Sequence, residues 1–185
     1  MNPLTEGSRL GFKDLSSNRK PIGPPPSPNK NNDSLKGNKM ITMQSVNIKK
    51  LDKKAIIPKY QTSGAAGFDL CSIINYCLYP GEMKLIPTGL AIEIQEGTEL
   101  QIRPRSGMAK KYKITLMNAP GTLDSDYRGP IGVLLVNHGS DNFIINIGDR
   151  IAQGVLAPVY QAVFNVVDEL SETNRGSGGY GSTGK

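Results

Sequence analysis

The sequence predicts an all-β domain, a barrel or sandwich of eight or more short strands whose edges are closed or covered. Three observations carry this. Short runs, among them NIKKL, EMKLIPTGLAIEI, TELQIRPR, PIGVLLVNHG and DNFIINIGDRIAQGVLAPVY, mix Ile, Val, Leu or Tyr with polar residues at short range. Turn-forming pairs separate the runs: Pro80-Gly81, Glu96-Gly97, Pro120-Gly121, His138-Gly139 and Ile147-Gly148. No stretch sustains a helical stripe over three turns, and only SGMAKKYK, starting near Ser106, can hold one short helix.

Taken in order, the elements begin where the texture changes at Val46. AAGFDL sets Asp69 just after a glycine at the start of a strand. GLAIEI places Leu90, Ile92 and Ile94 at a period of two, the pattern of a half-buried strand. QAVFNVVDEL has the length of a helix, but Val163, Val166 and Val167 with Phe164 favour a strand.

At 185 residues the chain is long enough for one domain with a real core and something left over. The excess is at the start. Residues 1 to 42 hold seven Lys or Arg against three Asp or Glu, so they carry most of the net charge of +6. This Pro-, Asn- and Ser-rich leader has too little apolar surface to offset the entropy of ordering and is expected to be disordered. The expected organisation is a leader at 1–45, a β core at 46–170 and a glycine-rich arm at 171–185. Weak attraction of the leader to nucleic acid is the most its charge suggests. Cys71 and Cys77 give neither a disulfide framework nor, with His138 alone, a zinc site. With no membrane span and no secretory signal in view, the expected compartment is the cytoplasm.

Polar chemistry interrupts the strands in a few places. RPRSGMAKK offers Arg103, Arg105, Ser106 and Gly107 ahead of the helical turn, where a hydroxyl and backbone N–H groups can meet a phosphate. In NAPGTLDSDYRG, Asp124 and Asp126 straddle Ser125. Two such carboxylates can bind a cation, or one can act as a general base; the bland reading is a charged surface turn, with Arg128 as counter-charge. GDRIAQ brings Asp149, Arg150 and Gln153 together; an ion pair at a strand end would explain the first two and leave Gln153 without a task. The chain ends RGSGGYGSTGK, which fits a Walker A loop up to its lysine but has no Ser or Thr after it and no helix to follow. By itself this end reads either as a Gly/Ser tail or as an arm that closes on an anion.

As a set, the chain resembles the trimeric deoxyuridine triphosphate nucleotidohydrolase (dUTPase) family. Its five motifs stand in order as AAGFDL at 65–70, RPRSGMAKK at 103–111, NAPGTLDSDYRG at 118–129, GDRIAQ at 148–153 and RGSGGYGSTG at 175–184. The resemblance covers the chain from about residue 46 onward and leaves the leader outside it. It implies a jelly-roll-like β fold that forms homotrimers, with sites at subunit interfaces. The implied reaction is dUTP plus water giving dUMP and pyrophosphate, with Mg²⁺ gripping the triphosphate. Asp124 would deprotonate the attacking water and Gln153 would touch the α phosphate. Arg105, Ser106, Gly107, Arg175, Ser182 and Thr183 would bind phosphate oxygens. Asn118 and Gly121 would line a narrow uracil hairpin, Tyr127 would lie against the deoxyribose, and Tyr180 with Gly181 would close over the base. Asp69 would order the water shell of the metal rather than ligate it. Departures from the family pattern are Phe68 for tyrosine, Met108 for leucine, Tyr180 for phenylalanine and Gly154 for an apolar residue. The related deoxycytidine triphosphate deaminase would need a carboxylate placed for deamination, and a non-catalytic trimer would have no use for Asp124, Gln153, Arg175 and Ser106 together.

Overall fold

The computed structural model describes residues 43–179. The leader through residue 42, together with Tyr180, Gly181, Ser182 and Thr183, lies outside the described residues. Along the chain run β1 (Asn47–Lys50), β2 (Phe68–Cys71), β3 (Tyr76–Leu78), β4 (Met83–Glu93), β5 (Thr98–Arg103), α1 (Ser106–Tyr112), β6 (Ile114–Leu116), β7 (Gly121–Leu123), β8 (Pro130–Asn137), β9 (Phe143–Ile145) and β10 (Arg150–Pro158). They form a four-stranded sheet ordered β1-β4-β8-β6, a second ordered β2-β10-β5-β7, and a small β3-β9 pair. Every pairing is antiparallel, and the arrangement is jelly-roll-like.

Alternation builds the core. On β5, Thr98, Leu100 and Ile102 point inward while Glu99, Gln101 and Arg103 point out. On β8, Ile131, Val133 and Leu135 are buried. They meet Leu70, Leu78, Ile86 and Ile145 in one apolar cluster. Leu90, Ile92 and Ile94 are buried as the period of two predicts and Glu93 is exposed, but Ala91 on the opposite face is buried as well, where β4 is flanked by β1 and β8. Each fully buried aliphatic contributes about 1.5–3 kcal/mol relative to an exposed one. Two buried polar side chains are fully used: Thr88 Oγ1 donates to the Ile131 carbonyl (2.7 Å), and Asn137 Nδ2 donates to the Leu78 (3.0 Å) and Asp141 (2.8 Å) carbonyls. Gly89 takes φ +68°, which suits glycine alone, where the β4–β8 register shifts between Pro87 and Ala91.

The helix starts at Ser106, as expected, and stops at Lys113, whose left-handed backbone (φ 58°) returns its N–H to the Ala109 carbonyl. Met108 is its buried anchor, so the exchange of leucine for methionine keeps the packing.

One expectation needs correction. QAVFNVVDEL is not a strand: regular structure ends at Pro158, and Val163, Phe164, Val166 and Leu170 stand almost fully exposed. β-branched residues favour an extended backbone, but a strand needs a neighbour for its N–H and C=O groups, and the described residues offer none there. The segments 117–120 and 124–129 connect strands of different sheets. β6 pairs with β8 in the first sheet while β7 pairs with β5 in the second, so both connections cross between sheets.

Candidate active site

Four of the five motif segments fall into two groups, one where β2, β10 and β5 meet the start of α1 and one along the β7 edge of the second sheet. In the first group, cross-strand register sets Gln153 of β10 opposite Asp69 of β2 on one side and Arg103 of β5 on the other. The Asp69 carboxylate holds two guanidiniums, Arg105 Nε at 3.1 Å and Arg150 Nη1 at 3.2 Å. Arg105 also donates from Nη1 to the Arg150 carbonyl (2.9 Å), tying the entry of α1 to the start of β10. Gln153 Nε2 donates to the Pro104 carbonyl (3.0 Å), and its Oε1 lies only 2.7 Å from where a Cβ on Gly67 would stand. Two arginines meet one carboxylate here, while the Arg103 guanidinium turns along its own strand to Gln101 Oε1, and the result is a cationic surface suited to phosphate. Ser106 and Gly107 open α1 beside it, where the first N–H groups of a helix lack intrahelical partners.

Arg150 is the member that the sequence reading missed. Asp149 is not its partner: that carboxylate accepts from Asn146 N (2.7 Å) and closes the turn before β10. Asp69, the true partner, is remote in sequence, so local spacing carried no signal for the pair. Cys71, beside Arg150 in the register, is a free thiol, and burial pushes its pKa up, reinforced by the Asp69 charge.

Along the β7 edge, the crossing from β6 to β7 holds Asn118, a cis Ala119–Pro120 bond and Gly121, which pairs with Ile102 and so lies level with the Arg103 end of β5. The Asn118 amide lies flat on Gly121, with Nδ2 3.1 Å from where a Cβ would be. Asp124 follows β7 and opens a turn closed by Tyr127 N on its carbonyl (3.1 Å). Arg128 does not neutralise Asp124 or Asp126; it reaches Glu93 (3.4 Å) and donates to the Ser125 (2.7 Å) and Tyr127 (3.0 Å) carbonyls. Asp124 and Asp126 thus border an open groove of about 1450 Å³, with Thr122, Glu93 and Glu99. The Tyr127 ring is partly exposed, and its hydroxyl donates to the Pro130 carbonyl (3.1 Å). Arg175, further along, donates to the Gly178 carbonyl (2.8 Å) within its own local turn.

The register gives the distance between the two groups. Leu123 pairs with Leu100, so Asp124 stands level with Glu99, whereas Gln153 stands level with Arg103 and one strand further over. At a rise of about 3.3 Å per residue and a strand spacing of about 4.8 Å, Asp124 and Gln153 of one chain are roughly 16 Å apart.

A cationic cluster beside a helix start, and a free carboxylate at a turn, are the parts of a nucleotide hydrolase carried on a jelly-roll-like scaffold. Comparison with known proteins agrees. The sequence profile of the dUTPase family matches residues 53–184. A deoxyuridine 5'-triphosphate nucleotidohydrolase of Nautilia profundicola is 62% identical over 138 residues, which is 75% of this chain and 97% of that protein. That of Gloeothece citriformis is 54% identical over 74% of this chain and 94% of its own length. Among solved structures, the Staphylococcus bacteriophage 80alpha dUTPase with dUPNHPP superposes with a TM-score of 0.70 at 26% identity, covering 77% of this chain and 100% of that one. A mutant dUTPase from phage phi11 of S. aureus, whose structure details coordination of a structural Mg(II) ion, shares the fold with a TM-score of 0.65 at 23% identity, covering 70% of this chain and 100% of its own. The chain belongs to the dUTPase family.

Proposed function

We propose that this chain carries out its family's reaction, hydrolysis of dUTP to dUMP and pyrophosphate, with Mg²⁺ and at sites shared between the chains of a homotrimer. The observation that carries the shared site is the separation of roughly 16 Å between Asp124 and Gln153, estimated from strand geometry. A general base must come within about 2.6–3.2 Å of the water it deprotonates, and backbone positions this far apart favour bringing the two residues to one α phosphate from different chains. Asp124 of one chain beside Gln153 and Ser106 of a neighbour solves this. The exposed Leu85 and Met117 and the uncovered apolar stretch from Val163 to Leu170 support such an assembly, since contiguous apolar surface of this kind is usually covered.

Within that site, Asp124 takes the proton of the attacking water and Gln153 orients the α phosphate. Arg105, Ser106 and Gly107 hold phosphate oxygens, and Asn118 and Gly121 read uracil. Tyr127 lies against deoxyribose. Arg175, Tyr180, Gly181, Ser182 and Thr183 close over the nucleotide as an arm spanning 171–185, beyond a catalytic core at 46–170 and a leader at 1–45 that takes no part in the reaction. Among the described residues, no three His, Cys, Asp or Glu side chains gather to cage a metal. The donor set fits Mg²⁺ arriving on the triphosphate with its waters, which the unused lone pairs of Asp69 can accept. When bound, the ion supplies charge neutralisation for the departing pyrophosphate. No helix among the described residues is long and apolar enough to cross a membrane. A cytoplasmic site of action, on a free nucleotide, is part of the same proposal.

The test is pyrophosphate release from dUTP, dTTP, dCTP and UTP, each with Mg²⁺ and with the metal chelated. Release confined to dUTP and lost on chelation supports the reading; ammonia from dCTP, or no release by the folded protein, contradicts it.

A further inference from the structure

Gly129 stands at a bend just before β8, but no left-handed backbone explains it. Its φ is not among the positive values that favour glycine. What it lacks is room. A Cβ at Gly129 would overlap the Tyr127 hydroxyl and would stand 2.5 Å from Cζ and 2.9 Å from Cε2 of the same ring. Real Cβ atoms do not approach carbon so closely, so the ring occupies the volume that every other residue type would fill.

The turn that carries the ring is also tied down. Tyr127 N closes on the Asp124 carbonyl (3.1 Å), and Arg128 is tied to Ser125 and Glu93. The hydroxyl donates to the carbonyl of Pro130, the first residue of β8, which the register fixes opposite Ala91 of β4. Yet the side chain remains 42% exposed. One edge rests on bare backbone while the rest faces open space three positions beyond the Asp124 carboxylate. A tyrosine recruited for packing would be covered; this one is presented.

We propose that Gly129 is a specificity-determining residue, whose missing side chain seats the Tyr127 ring and so sets discrimination against ribonucleotides. The inference rests on the reading of Tyr127 as the face that meets the deoxyribose. A methyl group at residue 129 swings the ring off its seat, breaks the bond to Pro130 and opens space for a 2'-hydroxyl. It leaves Asp124 and the cationic cluster untouched, so the effect falls on KM and on selectivity more than on kcat.

The experiment is a double-mutant cycle of Gly129→Ala and Tyr127→Ala, read as the ratio of kcat/KM for dUTP to that for UTP. Gly129→Ala lowers this ratio by about tenfold or more, within the range a small steric group commands in a pocket. In the Tyr127→Ala background the same substitution changes it by less than about twofold, because nothing is left to seat. An equal effect in both backgrounds, or none in either, overturns the inference while leaving Tyr127 its role. If Tyr127→Ala alone does not alter the ratio, the reading of Tyr127 fails and the inference with it. Should Gly129→Ala not fold, the clash account requires the double variant to fold; if that also fails, the inference is overturned.

Discussion

Gln153 is moulded against Gly67: its Oε1 lies 2.7 Å from the place where a Cβ on Gly67 would stand, while its Nε2 is held by the Pro104 carbonyl. Gly67→Ala therefore displaces the amide by up to an ångström. Misplacements of this size cost up to about a hundredfold in rate, so kcat for dUTP is expected to fall by roughly ten- to a hundredfold with a far smaller change in KM. Steady-state kinetics beside a melting curve checks this; unchanged kcat in a folded variant shows that the position of Gln153 does not matter.

Asp69 keeps Arg105 and Arg150 together, with its own side chain only 14% exposed. Asp69→Asn leaves two guanidiniums without a counter-charge. Because Arg150 is about half exposed, the cost is well below that of a buried pair, about 1–2 kcal/mol. Denaturant unfolding measures it. Affinity for a non-hydrolysable dUTP analogue is expected to fall by tenfold or more, as the arginines lose their fixed placement. Full affinity would mean that they do not meet the phosphates.

The Tyr76 hydroxyl donates to the Glu82 carboxylate, which also accepts from Tyr79 N (2.8 Å). These bonds hold the Glu82 pKa below its ordinary 4.5 and raise that of Tyr76 above 10.0. The stability contributed through Glu82 is full above pH 4.5 and is lost as pH falls through the depressed folded value. Melting curves of the native protein and Glu82→Gln should accordingly converge as pH drops below 4.5. A constant gap down to pH ~3 would exclude this linkage.

Local patterns made much of the fold legible. The alternation in GLAIEI, the glycine-marked turns and the short SGMAKKYK segment are local signals, and the strands, turns and short helix follow them. What stayed hidden depends on residues far apart. The partner of Arg150 sits on another strand, and the crossings around Asn118 and Asp124 look like hairpins because turn residues do not say which sheet the next strand joins. QAVFNVVDEL has strand composition but no pairing neighbour among the described residues. Gly154 shows the same limit in packing. It pairs in register with Phe68, and a Cβ there would come 2.6 Å from the Phe68 ring. Two departures from the family pattern are thus one packed pair, with an aromatic ring covering a glycine across the sheet. Gly154→Ala should destabilise by about 1–3 kcal/mol, and combining it with Phe68→Leu should restore part of the loss. Equal melting temperatures for Gly154→Ala and the native protein would contradict that packing.

The central claim is that Asp124 and Gln153 serve one site only when they come from different chains. Asp124→Asn and Gln153→Ala variants, each nearly inactive alone, should regain activity when unfolded together and refolded as a mixture, because a neighbour can supply the missing residue. Random mixing gives both native residues to roughly a quarter of the sites. Recovery of dUTP hydrolysis near that fraction is the predicted result; a mixture no more active than its separately refolded components would contradict it.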